Sequence, residues 1–350
     1  MKARKMIRKL LHHENTSMMM VLVGIIVAVI LVEGLFVRGG DFSQVAFIKG
    51  MNISNVLTQI SATGIMALGM AIVMIGGGMD LSAGQMMSFA GSATAFLIQK
   101  AEWGEVPAML FAVCICVIFQ LLMGFIISRT KLEPFIVSLG FMSIYQGLAY
   151  LITNGSEITI TGKLEFLGKT YLYFGDDFKL GMPVILLILL TTLMWLVLKY
   201  TKFGRRVYAV GGNEEAAYLS GISVRNFKLV LYGINGLFIS IATLTLLSRV
   251  GTGNPLMGSG KEIEVIAAVV VGGTALSGGK GNMWGAFIGV LLLGCISNAL
   301  NILGISPYYQ YVMRGLLILI AILISYFSDA KKASVKKVKQ VSAAGADHTC

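Results

Sequence analysis

The sequence predicts an all-α integral membrane protein with about ten transmembrane helices. Of its 350 residues, 56% are hydrophobic and only 13% are charged, whereas soluble domains have roughly a quarter charged residues. The mean hydropathy is +0.81, and long uncharged apolar runs such as 50–79 and 106–128 recur along the chain. A soluble protein would need more charge to cover its surface, so much of this surface is expected to face lipid.

Ten segments approach the roughly 20 apolar residues that a helix needs to cross a bilayer. They are Met18–Val37, Val56–Ile75, Ser82–Ile98, Val106–Ser128, Phe135–Thr153, Met182–Leu198, Leu229–Leu247, Ile263–Gly273 with its flanks, Trp284–Leu303 and Tyr311–Phe327. The third and the eighth have the weakest signals, and each either spans the membrane or re-enters from one side. No small-x-small cleavage site follows the first, which favours an uncleaved anchor over a signal peptide.

The basic residues predict the orientation. If the N-terminus is cytoplasmic, nineteen of the 28 Lys and Arg fall on the cytoplasmic side, as the positive-inside rule requires. An even number of spans then gives a cytoplasmic segment 1–17, a transmembrane domain 18–328 with a cytoplasmic loop 199–228, and a cytoplasmic tail 329–350. The net charge of +11 is therefore a topology signal, because nucleic-acid binding would need that charge gathered on a folded soluble domain. The predicted location is the cell (inner) membrane.

Two glycine-rich turns suggest an internal repeat. The octapeptide 77–84, GGMDLSAG, matches 272–279, GGTALSGG, at five of eight positions. Each follows an apolar segment that runs from outside to inside in the predicted topology. The two halves are therefore predicted to be parallel repeats about an axis along the membrane normal, as in several transporters.

The loop 199–228 contains a short predicted helix. Asn213 is a favourable N-cap, and Glu214 and Glu215 place negative charge in the first turn, where the helix dipole favours it. Gly221 can adopt the left-handed conformation that ends a helix. A helix of about two turns is marginal alone in water, so the flanking spans or a docked partner must hold it. The residues alone support a solvated connector and a docking helix equally.

The stretch Glu215-Ala216-Ala217-x-x-x-Gly221 resembles the EAA-type loop of ATP-binding-cassette importer permeases. The turn 77–82 is similar to the G-G-[IM]-D-L-S turn of their monosaccharide group, which handles ribose, galactosides and xylose. The stretch 266–281 and the segments 298–301 and 307–311 also resemble that group, so that the resemblance covers roughly residues 50 to 328.

The resemblance implies a permease subunit that works as a dimer, homodimeric or heterodimeric, and is not itself an enzyme. It implies two further partners, a cytoplasmic ATPase that binds ATP and magnesium and an extracytoplasmic sugar-binding protein. The residues implied in ATPase coupling are Asn213, Glu214, Glu215, Ala216, Ala217, Tyr218, Leu219 and Gly221. The turns that match the family signature contain Gly77, Gly78, Asp80, Leu81, Ser82, Gly272, Gly273, Gly278 and Gly279.

The motif search supports no catalytic or metal site in this chain. Gly279-Lys280 and Gly260-Lys261 lack the hydroxyl residue and the upstream glycine of a phosphate-binding loop, so the energy source is expected on another chain. The only histidines, His12, His13 and His348, lie near the termini. The cysteines Cys114, Cys116 and Cys295 lie in apolar runs and are expected to be buried side chains rather than metal ligands.

Ionisable residues inside a membrane indicate function by default. Glu33 and Arg314 are expected to reach the membrane interfaces, and Asp80 to cap the helix that begins near Leu81. None suggests a proton relay, which argues against the main alternative, an ion-gradient-driven secondary transporter of a small polar solute. A membrane-bound transferase or synthase would need a catalytic cluster, and none is found.

A sugar pathway needs amides and hydroxyls that match sugar hydroxyls. The candidate pathway residues are Gln59, Gln146, Asn235, Asn298 and Asn301. Polar side chains in membranes also simply join helices, and for each of these residues that role is the expected one.

Overall fold

A computed structural model of the protein describes residues 14–306, except 131, 161 and 176, together with 308, 309, 312, 315, 316 and 319. Outside the continuously described part lie the predicted last span Tyr311–Phe327, which contains Arg314, and the tail 329–350. The chain divides into two units, Met1–Ile305 and Ser306–Cys350, and all helices and strands with defined bounds belong to the first. In the second, the backbone N–H of Tyr309 donates to the carbonyl oxygen of Ser306 at 3.0 Å.

The described elements are mostly helices. In chain order they are α1 (Glu14–Val32), α2 (Gly50–Ile75), α3 (Ala83–Gln99), α4 (Glu105–Arg129), α5 (Pro134–Thr153), β1 (Ile158–Thr159), α6 (Glu165–Lys169), β2 (Tyr171–Phe174), β3 (Phe178–Gly181), α7 (Met182–Tyr200), α8 (Lys202–Gly212), α9 (Glu214–Leu219), α10 (Val224–Val250), β4 (Thr252–Gly253), α11 (Lys261–Val271) and α12 (Met283–Ile302). A π-helical turn, Glu33–Val37, continues α1. The prediction of a helical membrane protein is confirmed at this level.

Six of the described helices are long and apolar enough to cross a membrane. They are α2, α4, α5, α7, α10 and α12. A shorter apolar stretch, Met19–Leu35, lies in the region of the predicted first span. The count of ten spans stays a prediction.

The two weakest predicted spans are shorter than the others. The helix α11 has 11 residues, which corresponds to about 16 Å, roughly half of a hydrocarbon core. It is therefore too short to cross as a single helix, and the choice between a span and a re-entrant segment here stays a prediction. The helix α3 has 17 residues and is about 26 Å long. Fourteen of those residues are buried, so α3 is enclosed by protein.

Among the six candidate spans, α2 and α10 are the most deeply buried. In their most apolar stretches 89% and 72% of residues are buried, against 22% in α5 and 33% in α4 and α7. The peripheral helices therefore present apolar faces outward, as expected for contact with lipid. On α4, Cys116 is buried as predicted while Cys114 is exposed. The helices α4 and α10 approach closely at Gly236, where an added Cβ would lie 2.7 Å from the carbonyl oxygen of Cys116.

One end of the bundle carries two small antiparallel sheets, and we call it the hairpin end. There β1 pairs with β4, and β2 pairs with β3. The Arg249 guanidinium at the end of α10 donates to the carbonyl oxygen of Thr58 near the start of α2, at 3.1 Å. The opposite end, which we call the coupling end, carries the turns 76–82 and 272–282 and the helices α8 and α9.

The carboxylate of Glu33 is enclosed by protein, whereas its predicted position at a membrane interface stays a prediction. Its side chain is buried and accepts the backbone N–H groups of Ala46 at 2.7 Å and Phe47 at 3.1 Å. The Arg38 guanidinium lies 3.4 Å away. Glu33 therefore holds the segment that links α1 to α2, because a buried carboxylate needs such partners.

Candidate functional site

The helix α9 is capped at both ends as the sequence predicts. The Asn213 side-chain oxygen accepts the backbone N–H of Ala216 at 2.9 Å. At the other end Gly221 has φ +84°, its N–H donates to the carbonyl of Tyr218 at 2.9 Å, and the N–H of Ile222 donates to that of Ala217 at 3.1 Å. This pair of bonds is the Schellman motif, so this helix of only six residues has a capping interaction at each of its ends.

The side chains of α9 divide between the bundle and solvent. Ala217 is only 4% exposed, whereas Tyr218 is 69% and Leu219 is 79% exposed. Glu214 forms an ion pair with Lys228 in the first turns of α10. Within the predicted coupling set, Ala217 therefore packs inward, and Tyr218 and Leu219 form an outward apolar tip at the coupling end.

The helix α8 joins α9 to the bundle. The Thr201 hydroxyl accepts the N–H of Gly204 at the N-terminus of α8, and Val207 and Val210 are fully buried. The Tyr208 hydroxyl donates to the carbonyl of Gly281 at 2.9 Å. Burial raises the pKa of the Tyr208 phenol, so the group stays a neutral donor at physiological pH.

Three backbones meet where α8 ends, and we call this the glycine junction. A Cβ added to Gly211 would lie 1.8 Å from the carbonyl oxygen of Ile75 and 2.7 Å from the N–H nitrogen of Gly279. One added to Gly278 would lie 2.8 Å from the Cα of Gly77. The N–H of Gly279 donates to the carbonyl of Ile75 at 2.8 Å. Backbone packing therefore couples α8 to both glycine-rich turns.

The predicted repeat turns end their helices by the same motif. Gly77 has φ +81° and Gly273 has φ +83°, and each turn repeats the pair of Schellman hydrogen bonds. This places Gly77 opposite Gly273, whereas the octapeptide match places it opposite Gly272. The local resemblance of the turns is therefore real but one residue out of register, and the internal repeat stays a prediction.

Asp80 does more than cap α3. Its Oδ1 atom accepts the backbone N–H of Ser82 at 2.8 Å, which is the expected capping contact. Its Oδ2 atom accepts Gln120 Nε2 of α4 at 2.8 Å and Asn235 Nδ2 of α10 at 2.7 Å. Asp80 is fully buried, and nearby the Tyr232 hydroxyl donates to the carbonyl of Met79 at 3.2 Å. The carboxylate therefore joins the turn 76–82 to two long helices.

The five candidate pathway residues have different surroundings. Asn235 joins helices through Asp80, and Asn298 of α12 exchanges amide hydrogen bonds with Asn52 of α2 at 2.9 and 3.0 Å. Gln59 lines a cavity at the hairpin end. Gln146 is half-buried and Asn301 is exposed. The predicted role of helix contact therefore holds for Asn235 and Asn298.

Sequence reasoning missed Gly211 and Tyr208 as functional candidates. Both lie in the loop 199–228, but neither belongs to the EAA-type pattern at residues 215–221. The pair Gly211-Gly212 was an available signal, because glycine is unfavourable at the end of an otherwise regular helix unless close packing requires it.

The fold and this site define a multi-pass membrane permease. Residues 52–322 match the family described as "Branched-chain amino acid transport system / permease component". The ribose import permease protein RbsC of Bacillus subtilis (strain 168) is 39% identical over 83% of this chain and 88% of its own. The L-arabinose transport system permease protein AraH of Escherichia coli (strain K12) is 35% identical over 84% and 87%.

A third relative, the xylose transport system permease protein XylH of Haemophilus influenzae, is 31% identical over 82% of this chain and 92% of its own. The chain belongs to this permease family. The resemblance to the monosaccharide group that the sequence motifs indicate is thereby confirmed, and it is favoured over the secondary-transporter alternative.

We expect Gly221→Val to weaken the predicted docking of α9 to the ATPase. A left-handed backbone costs an L-residue about 1–2 kcal/mol, so the helix end should unravel and the apolar tip should lose its fixed position. Transport should fall about tenfold, measured as uptake per assembled complex. Gly221→Asn is the matched control, because asparagine tolerates this conformation, and it should keep most of the activity. Equal activity of both variants would contradict a role for this helix end.

Proposed function

We propose that this chain is the membrane subunit of an ATP-binding-cassette importer and that it passes a monosaccharide into the cytoplasm. ATP and magnesium bind to a separate ATPase subunit. The observation that carries the proposal is the geometry of α9, a doubly capped helix whose exposed Tyr218 and Leu219 project from the coupling end. Exposed apolar side chains on a rigid helix suit insertion into a groove of a partner protein.

The glycine junction supports a route from the docked ATPase to the membrane helices. When the ATPase closes on ATP, α9 moves with it, and α8 follows because the two helices are joined at Asn213. Gly211 contacts the backbone of Ile75 and Gly279, so α8 is in direct backbone contact with the turns that follow α2 and α11. Close backbone contacts transmit such a shift because packed interfaces deform little.

The proposed topology places the coupling end in the cytoplasm, with both termini on that side and ten spans in the cell (inner) membrane. The six Lys and Arg of 199–228 support this orientation. The hairpin end then faces outward, where an extracytoplasmic sugar-binding protein docks. A second permease copy completes the pathway.

The substrate class is supported by the relatives. Three of them are named for ribose, L-arabinose and xylose, all of which are five-carbon sugars, and each match covers more than four-fifths of this chain. The family description instead names branched-chain amino acids, and such an amino acid is the second candidate. The agreement of individual relatives over most of their length favours the sugar.

The test is uptake by sealed vesicles that contain the permease with its ATPase and binding protein. We expect ATP-dependent accumulation of at least one radiolabelled pentose and none of isoleucine. ATP depletion with the ion gradient kept should abolish uptake. Uptake that persists without ATP would overturn the proposal in favour of a secondary transporter, and isoleucine uptake would favour the amino-acid candidate.

A further inference from the structure

A cavity of about 340 Å³ opens at the hairpin end between α2, α3 and α10 and the segment 251–261. This volume falls within the range of about 300–1,000 Å³ that small-molecule sites occupy. Its polar lining consists of Gln59, Thr63, Glu157, Arg249, Thr252, Asn254 and Lys261. Its apolar lining consists of Ala62, Met87, Leu246, Val250, Leu256 and Met257. Few places in an apolar bundle gather so many hydrogen-bonding side chains, and in a membrane protein such a gathering needs an explanation.

One wall is a polar stripe on α2. Residues at spacings of four lie on one helix face, and Asn55, Gln59 and Thr63 follow this spacing. Asn55 and Gln59 are exposed and Thr63 is buried, while every residue of 60–75 is buried. The stripe therefore runs from the surface into the bundle and ends at Thr63, where the helix becomes fully enclosed.

The inner part of the cavity contains a half-buried cation. Lys261, the first residue of α11, donates to the Thr63 hydroxyl at 3.1 Å and pairs with Glu264 at 3.1 Å. This ties α11 to α2. On the other side Asn254 Nδ2 donates to Glu157 Oε1 at 3.1 Å. These contacts position the polar groups before any solute arrives, which lowers the cost of binding.

The charged residues of the lining are Arg249, Lys261 and Glu157. Lys261 is also paired with Glu264, which is not a lining residue, so the cavity has no large excess of one charge. The amide and hydroxyl groups of Gln59, Asn254, Thr63 and Thr252 offer both donors and acceptors. Sulfur and aliphatic groups of the apolar lining can contact the C–H face of a ring. A neutral compound with several adjacent hydroxyl groups fits this combination.

We infer that this cavity is the outward-facing binding site through which the permease receives its neutral polyhydroxy solute, with Gln59 as a contact residue. The inference rests on the proposed function. Among the described residues that line the cavity there is no aromatic ring, so the site lacks the stacking surface that would hold a sugar firmly. Weak binding suits a transit site, because a solute that is held tightly leaves slowly.

The test compares Gln59→Leu with Gln99→Leu in the complete transporter. Gln99, the last residue of α3, is exposed like Gln59 but does not line the cavity, and it serves as the matched control. We expect Gln59→Leu to lower pentose uptake at least tenfold at unchanged amounts of assembled complex, and Gln99→Leu to stay within twofold of wild type. Gln59→Asn, which keeps the amide, should recover part of the rate.

A thiol-protection experiment reads occupancy directly. In a variant with Cys114 and Cys350 replaced by alanine, Gln59→Cys should react with a small charged methanethiosulfonate, and saturating ribose, arabinose or xylose should slow the reaction. The inference would be overturned if the wild-type complex takes up a pentose, Gln59→Leu is fully active, and the sugars do not protect residue 59. The proposed function would then remain intact. A failure of the proposed function is distinct, because the wild-type complex would then move no pentose at all.

Discussion

Gly211→Ala should abolish coupled transport and destabilise the protein. The new methyl group would lie 1.8 Å from the carbonyl oxygen of Ile75 and 2.7 Å from the nitrogen of Gly279. Both are backbone atoms, and the hydrogen bond between them joins the end of α2 to the turn before α12. The methyl group cannot be accommodated by a side-chain rotation, so α8 must move away or that bond must break.

The neighbouring glycine provides the control. Gly212 also lies in α8, and a Cβ there would meet nothing within 4 Å. Alanine is a better helix former than glycine by about 1 kcal/mol, so helix propensity alone predicts that both variants are at least as stable as wild type. The glycine junction predicts instead that only Gly211→Ala is destabilising.

The measurements are thermal unfolding of the purified complex and ATP-dependent uptake. Overpacking a well-packed contact costs typically 1–3 kcal/mol. For Gly211→Ala we expect a lower midpoint of unfolding and a loss of transport of at least tenfold, while Gly212→Ala should match wild type in both. If the two variants behave alike, the contact of α8 with the two turns is not what couples them.

Local signals made part of this site predictable from the sequence. Asn213 and Gly221 lie eight residues apart, and the interactions that cap α9 involve only residues between 213 and 222. Capping chemistry depends on neighbours in the chain, so residue type and spacing were enough to predict the helix and both of its ends. The apolar runs were predictable for the same reason, since hydropathy is read in short windows.

Contacts between distant segments were not predictable in this way. Gln120 and Asn235 are 40 and 155 residues from the carboxylate that they contact, and no spacing rule relates them. Gln59 and Asn235 are both amides in apolar helices, yet one lines a cavity and the other is buried against Asp80.

Asp80→Ala should destabilise the protein most among the polar substitutions of the described bundle. The change leaves Gln120 Nε2, Asn235 Nδ2 and the Ser82 N–H without their shared acceptor. A buried donor without a partner costs about 1–3 kcal/mol, so the loss is several kcal/mol out of a total stability of about 5–15 kcal/mol. Because Asp80 is fully buried, bulk water does not readily replace the missing acceptor.

A matched control separates lost hydrogen bonds from lost volume. The Ser92 hydroxyl is also fully buried, but among the described residues it has no hydrogen-bond partner. Removing a buried polar group that has no partner should cost nothing or even stabilise the protein. Ser92→Ala should therefore leave the unfolding midpoint unchanged or raise it, while Asp80→Ala lowers both the midpoint and the yield of monodisperse protein.

A double-mutant cycle tests whether the carboxylate acts through its partners. If Asp80 joins α3 to α10 through Asn235, then Asn235→Ala in the Asp80→Ala background should cost less than it does alone, because its bond to the carboxylate is already lost. Contacting residues in one hydrogen-bond network give coupling energies of about 0.5–3 kcal/mol. Strictly additive losses would show that the two side chains stabilise the bundle independently, and Asp80 would then be only the cap of α3.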